Sequence, residues 1–170
     1  MAHESNSLDA RLDPRLAAAL AEVARRLGSA ARVLAGAAAE PRDLDVEIAA
    51  ADAAHAAAAL GCALAADEGR GWASLRGRCI VEGIEVDVSA AITVVGAEWG
   101  LEPDEQTARA WSRSVTVGGY PIMLAPVEEQ LVRALVAGDW ERIARIAGGG
   151  GPPPRAAYVF RRLASAKAVR

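Results

Sequence analysis

Two short stretches carry acids at alternate positions: Asp43-Leu44-Asp45-Val46-Glu47-Ile48 and Ile84-Glu85-Val86-Asp87-Val88-Ser89. Successive side chains of an extended chain point to opposite faces. Asp43, Asp45 and Glu47 therefore share one face of a strand, and Leu44, Val46 and Ile48 share the other. The second stretch repeats the design, with Glu85, Asp87 and Ser89 opposite Ile84, Val86 and Val88. Residues two apart lie roughly 6.5–7 Å apart along a strand. If the two strands are neighbours, their carboxylates line one patch, and like charges placed opposite each other cost up to about 1 kcal/mol per pair. Something positive must compensate. Oxygen-only donors favour a hard cation, Mg²⁺ or Mn²⁺, held by one or two carboxylates with water and substrate phosphate completing the shell. That is a phosphoryl-transfer arrangement. The same alternation also describes a half-solvated strand, so surface decoration stays open as a bland reading.

Other chemistry-bearing residues are less pointed. Arg42 could neutralise phosphate or simply pair with its neighbour Asp43. Arg76 and Arg78, at strand spacing, could face the acidic patch. His3 and His55 lie apart and suggest no catalytic pair, and Trp72, Trp99, Trp111 and Trp140 are scattered as core or boundary residues would be.

The elements needed to position these groups can be read from periodicity and breakers. Asp13-Pro14 opens a helix with Leu16, Leu20, Val23 and Leu27 at helical spacing, stopped by Gly28. Arg32 to Ala35 reads as a buried strand ending at Gly36. The acidic strand follows Pro41, and a helix runs from Asp52 to Leu60 before Gly61. Residues 72–95 read as β-structure turning at Glu82-Gly83, and residues 103–112 as a helix. A second hairpin turns through Gly118-Gly119-Tyr120. Pro126 opens a helix with Val127, Leu131 and Leu135 on one face, and a shorter helix from Asp139 carries Trp140, Ile143 and Ile146. The expected fold is α/β, a mixed sheet flanked by helices. Residues 1–11 read as a leader, 12–147 as the domain, 148–154 as a Gly/Pro linker and 155–170 as an appended basic helix.

The chain has 170 residues, 52% of them hydrophobic, and a formal net charge of −3, which suits one globular domain and gives no general reason to expect nucleic-acid binding. Residues 155–170 carry +5, leaving −8 on the rest, so the tail reads as an anion contact or a solvated helix. Cys62 and Cys79 form neither a disulfide framework nor a zinc motif. The opening MAHESNSLDA lacks an export pattern, and the Ala-rich stretch from Ala49 to Ala66 is too weakly apolar for a membrane span. A cytoplasmic protein is expected.

Strand, glycine turn, acidic strand, helix, acidic strand is a specific order. Leu34-Ala35-Gly36-Ala37, Arg42-Asp43-Leu44-Asp45-Val46 and Val86-Asp87-Val88 together resemble the polymerase-beta-type nucleotidyltransferase superfamily. Its small members include the minimal nucleotidyltransferases of bacterial toxin–antitoxin pairs and antibiotic nucleotidyltransferases. The resemblance covers roughly residues 31–95 and, more loosely, 119–147. It implies that Asp43 and Asp45 bind Mg²⁺ or Mn²⁺, and that Asp87 completes the site or acts as general base toward an acceptor hydroxyl. It also implies that backbone N–H groups at Gly36 and Ala37 cradle the phosphates of an NTP. The implied reaction moves a nucleoside monophosphate from an NTP to a protein, RNA or small-molecule hydroxyl. Ala37 stands where that pattern has Ser or Gly, and five residues separate it from Asp43. A non-catalytic member of the fold, an antitoxin-like or regulatory partner of a toxin-like protein, is the alternative. A second alignment places the glycine turn at Gly28-Ser29, thirteen residues before Asp43.

Overall fold

The computed structural model describes residues 12–34, 43–69, 71–148 and 153–169. Asp13 caps α1 (Pro14–Leu27), its carboxylate accepting from the Arg15 N–H at 2.9 Å and the Leu16 N–H at 3.4 Å. Pro14 costs nothing there, because the first helical N–H groups have no intrahelical partner. Leu16, Leu20, Val23 and Leu27 form the buried stripe expected of them. Gly28 ends the helix, and the chain enters β1 (Ala31–Val33). The acidic strand is β2 (Asp43–Ile48), followed by α2 (Ala53–Leu60), which Gly61 closes in the left-handed conformation.

Next come β3 (Ala65–Gly69), β4 (Trp72–Val81), β5 (Ile84–Val95) and β6 (Trp99–Leu101). Asp104 caps α3 (Glu105–Trp111) through the Thr107 N–H. The hairpin β7 (Arg113–Val117) and β8 (Tyr120–Leu124) leads to α4 (Val127–Ala137), α5 (Trp140–Gly148), α6 (Ala156–Ala164) and β9 (Lys167–Ala168). Among the described residues nine strands make one sheet. Its order is β3-β4-β5-β2-β1-β8-β7, with β6 joining β5 to β9. The pairs β2–β5 and β1–β8 are parallel and the others antiparallel, so the sheet is mixed, as expected.

One face of the sheet is the main core. Leu44, Val46, Ile48, Val86 and Val88 pack there with the apolar faces of α1 and α2. The opposite face carries the acids, with α4 running over part of it. Strand alternation alone produces this division.

Three expectations need correction. First, α4 forms between Pro126 and Gly138 as expected, but the face with Val127, Leu131 and Leu135 is not the one it buries. It buries Glu128, Glu129, Val132 and Ala134, while Leu135 lies at the surface. Two carboxylates can be buried because guanidinium groups meet them there. Second, the basic helix after the Gly/Pro run is not appended. Tyr158 and Arg162 of α6 are 0% and 1% exposed, and Arg155 pairs with Glu128. Two of the tail's five positive charges, Arg155 and Arg162, therefore pair with the acids of α4. Third, Trp99 and Trp140 are exposed, and α5 buries none of its residues. Among the described residues no helix is long and apolar enough to cross a membrane.

The β4–β5 turn places Glu82 at φ 49° and Gly83 at φ 78°. Two positive φ angles define the turn that suits a right-twisted hairpin, but a glutamate is strained in it by roughly 1 kcal/mol. Glu82→Asn should therefore stabilise the protein by about 0.5–1 kcal/mol, read as a higher urea midpoint with an unchanged slope.

Candidate functional site

Parallel pairing of β2 with β5 sets Asp43 beside Glu85, Asp45 beside Asp87 and Glu47 beside Ser89. Neighbouring strands lie about 4.8 Å apart, so these side chains emerge side by side from one face. Val86 and Val88, flanking Asp87, are fully buried in the opposite core. The acids of two strands far apart in sequence are thus pooled at one point.

Their surroundings differ sharply. Asp87 is 4% exposed and both its oxygens are taken. The Arg76 Nη2 donates to Oδ2 and the Arg78 Nε to Oδ1, each at 2.8 Å. The register explains this: β4 is antiparallel to β5, with Arg78 directly across from Asp87 and Arg76 across from Ser89, two residues along. Arg76 also lies 3.7 Å from Asp67 and over the Trp72 ring, while Arg78 reaches Glu85 at 3.6 Å. The positive partner required by the charge pattern is present, and it is arginine.

Asp43 and Asp45 have no such partner. Among the described residues neither carboxylate has an ion pair or a hydrogen bond. Partial burial pushes the Asp45 carboxyl above its ordinary value, and the charges of Asp43 and Asp87 push it further. Arg76 and Arg142 offset only part of that. Arg142, on α5, is a basic group acting on Asp45 that spacing along the sequence did not reveal. Glu47, the third acid of β2, is occupied differently: it is 3% exposed and paired with Arg133, with Arg32 at 3.9 Å.

β1 separates the two candidate glycine turns. It runs antiparallel to β2, with Ala31 opposite Ile48 and the Leu34 N–H donating to the Asp45 carbonyl at 3.0 Å. Gly28-Ser29 therefore sits beyond the Ile48 end, five residues or roughly 17 Å along β2 from Asp43. Just past β1, Leu34 lies beside Asp45. Gly36, Ala37 and Arg42 themselves lie outside the described residues.

Comparison with known structures follows this geometry. The chain superposes on the crystal structure of an inferred nucleotidyltransferase from Thermotoga maritima, with a TM-score of 0.63 at 17% identity. The match covers 81% of this chain and 93% of that one. The fold is nucleotidyltransferase-like. At that identity the likeness establishes architecture alone. No family model matches the sequence, and neither does any curated protein.

Proteins of this fold generally use divalent metal, and the donor set can be tested against that. Among the described residues no three acidic, histidine or cysteine side chains close into a metal cage. Asp87 is turned to its arginines. Asp43 and Asp45, which no ion pair holds among the described residues and whose charge Arg76 and Arg142 offset only in part, are oxygen donors of the kind that bind Mg²⁺ through one or two carboxylates. They fit the ion, and Asp87 fits it once unpaired.

Proposed function

We propose that this protein is a metal-dependent nucleotidyltransferase, moving a nucleoside monophosphate from an NTP to a hydroxyl acceptor. The observation that carries the reading is the β2–β5 register. It sets Asp45 beside Asp87, with Asp43 one step along the same face; among the described residues no ion pair holds the Asp43 or Asp45 carboxylate. Asp43 and Asp45 would hold Mg²⁺ or Mn²⁺. Bound there, the ion supplies charge neutralisation at the α-phosphate and orients it for in-line attack. Asp87 lies within reach of the same point and accepts the acceptor's proton as it attacks. Gly36, Ala37 and Arg42, outside the described residues, are the phosphate contacts this reading assigns. The cytoplasm, where NTPs are abundant, is the compartment in which this chemistry would run.

One observation favours a second reading. With both Asp87 oxygens held by arginine, the site resembles a structural ion cluster, as a non-catalytic partner protein of this fold could carry.

The readings separate on one assay. Protein incubated with α-labelled NTPs and Mg²⁺ should label itself or an added acceptor fraction, and EDTA should abolish the transfer. Persistent failure to bind any of the four NTPs by calorimetry in the presence of Mg²⁺ would instead favour the partner role.

A further inference from the structure

The arginines on Asp87 have a geometry that an incidental surface ion pair would not require. Each guanidinium takes one carboxylate oxygen at 2.8 Å, so Asp87 has no oxygen without a charged donor. The two arms differ in exposure. The Arg78 side chain is 61% exposed and reaches Asp87 from the open side, whereas Arg76 is 32% exposed and braced by Asp67 and Trp72. The Arg76 Nε is buried without a hydrogen-bond partner. Both arms border an open groove of about 300 Å³ along β3 and β4, lined by Asp67, Arg76 and Arg78 with small residues between them. An arginine released from Asp87 therefore has space to enter.

We propose that Arg76 and Arg78 form a clamp that competes with divalent cation for Asp87. This rests on the reading of Asp43 and Asp45 as metal ligands and adds a property to that site. With the clamp closed, both oxygens of Asp87 are held by guanidinium groups, and the cation has Asp43 and Asp45 to bind. With the clamp open, Asp87 joins them and the site loses the two positive charges on it. Affinity for the cation therefore depends on the cost of breaking two charge-assisted hydrogen bonds. The arginines set the metal concentration at which the site completes itself. They act through Asp87, as positioning residues.

The test is Mn²⁺ affinity, measured on the full chain without nucleotide by electron paramagnetic resonance. Arg76→Gln/Arg78→Gln should bind Mn²⁺ about tenfold more tightly than the parent protein, because two partly exposed pairs no longer have to break. The exposed Arg78→Gln alone should give about threefold, and it carries the test if the double variant fails to fold. Removing positive charge also attracts any cation nonspecifically, so the decisive comparison is made in an Asp87→Asn background. A clamp predicts that the gain disappears there. A gain of the same size with Asp87→Asn overturns the clamp, and so does equal affinity in the parent and Arg78→Gln. If Mn²⁺ binding is lost with Asp45→Asn yet untouched by the arginine variants, the metal site stands and the clamp falls. Absence of Mn²⁺ binding in every protein overturns the metal site and the clamp with it.

Discussion

Arg162→Ala should destabilise the protein by about 3–5 kcal/mol, enough to unfold a typical domain or bring it close to unfolding. Arg162 is 1% exposed and grips Glu129 with two parallel hydrogen bonds, Nε to Oε2 and Nη2 to Oε1, both at 2.8 Å. It also donates to the Glu102 carbonyl and to Ser165, each at 3.0 Å. Glu129 is 3% exposed and further accepts from the Tyr158 hydroxyl at 2.6 Å. Truncating the arginine leaves a carboxylate buried, with Arg133 at 3.3 Å as its remaining cation. The exposed neighbour Arg161→Ala should change stability by less than about 0.5 kcal/mol. Urea unfolding of both variants measures the contrast.

The same cluster sets an acid limit. Burial pushes the Glu129 carboxyl up, but the Arg162 hydrogen bonds and the charges of Arg133 and Arg162 outweigh it, so it lies below its ordinary value. Glu128 is likewise held low by Arg155 against the effect of burial. A depressed folded value means stability that is complete above the unfolded glutamate value, near 4.3, and is lost as pH falls through the folded one. The thermal midpoint should drop over that acid range, and less steeply in Glu129→Gln, which starts lower.

Asp45→Asn should reduce nucleotidyl transfer by at least about a hundredfold, the equivalent of roughly 2.7 kcal/mol of lost transition-state stabilisation. It should also leave the fold as stable or more stable. Burial and the charges of Asp43 and Asp87 raise the Asp45 carboxyl, so ionised Asp45 is a net cost to folding. That cost appears as pH rises through the unfolded value of 3.8 and is complete only above the raised folded one. Removing the charge should return about 0.5 kcal/mol, discounted for the solvent reaching this side chain. Activity that falls while the melting temperature holds or rises marks a site kept for function. If Asp45→Asn transfers as well as the parent, Asp45 is not a ligand.

Much of this was legible in the sequence wherever one face of an element is apolar. α1, β2 and the β4–β5 hairpin follow directly from periodicity, caps and turn residues. The sharing of a face by Asp43, Asp45 and Asp87 follows from alternation, once the strands are known to be neighbours. What alternation does not contain is the β4 register, which decides that Arg78 rather than a solvent molecule meets Asp87. α4 was misjudged because its inward side mixes Val132 with Glu128 and Glu129, and a buried acid is intelligible only with its arginine in view. β3 has the composition Ala-Ala-Asp-Glu-Gly, which favours no strand, and forms because β4 offers it an edge. β6 and β9 are two or three residues long, too short to show a period.

The separation of α4 from α6 along the chain also has a bearing on biosynthesis. Arg155 and Arg162 are added 27 and 33 residues after the carboxylates they neutralise. While the ribosome still holds α6, Glu128 and Glu129 must stay in water, and α4 cannot settle onto the sheet. The hydrocarbon side under α1 and α2 can consolidate first, leaving the ionic side to close only once α6 is free to pack.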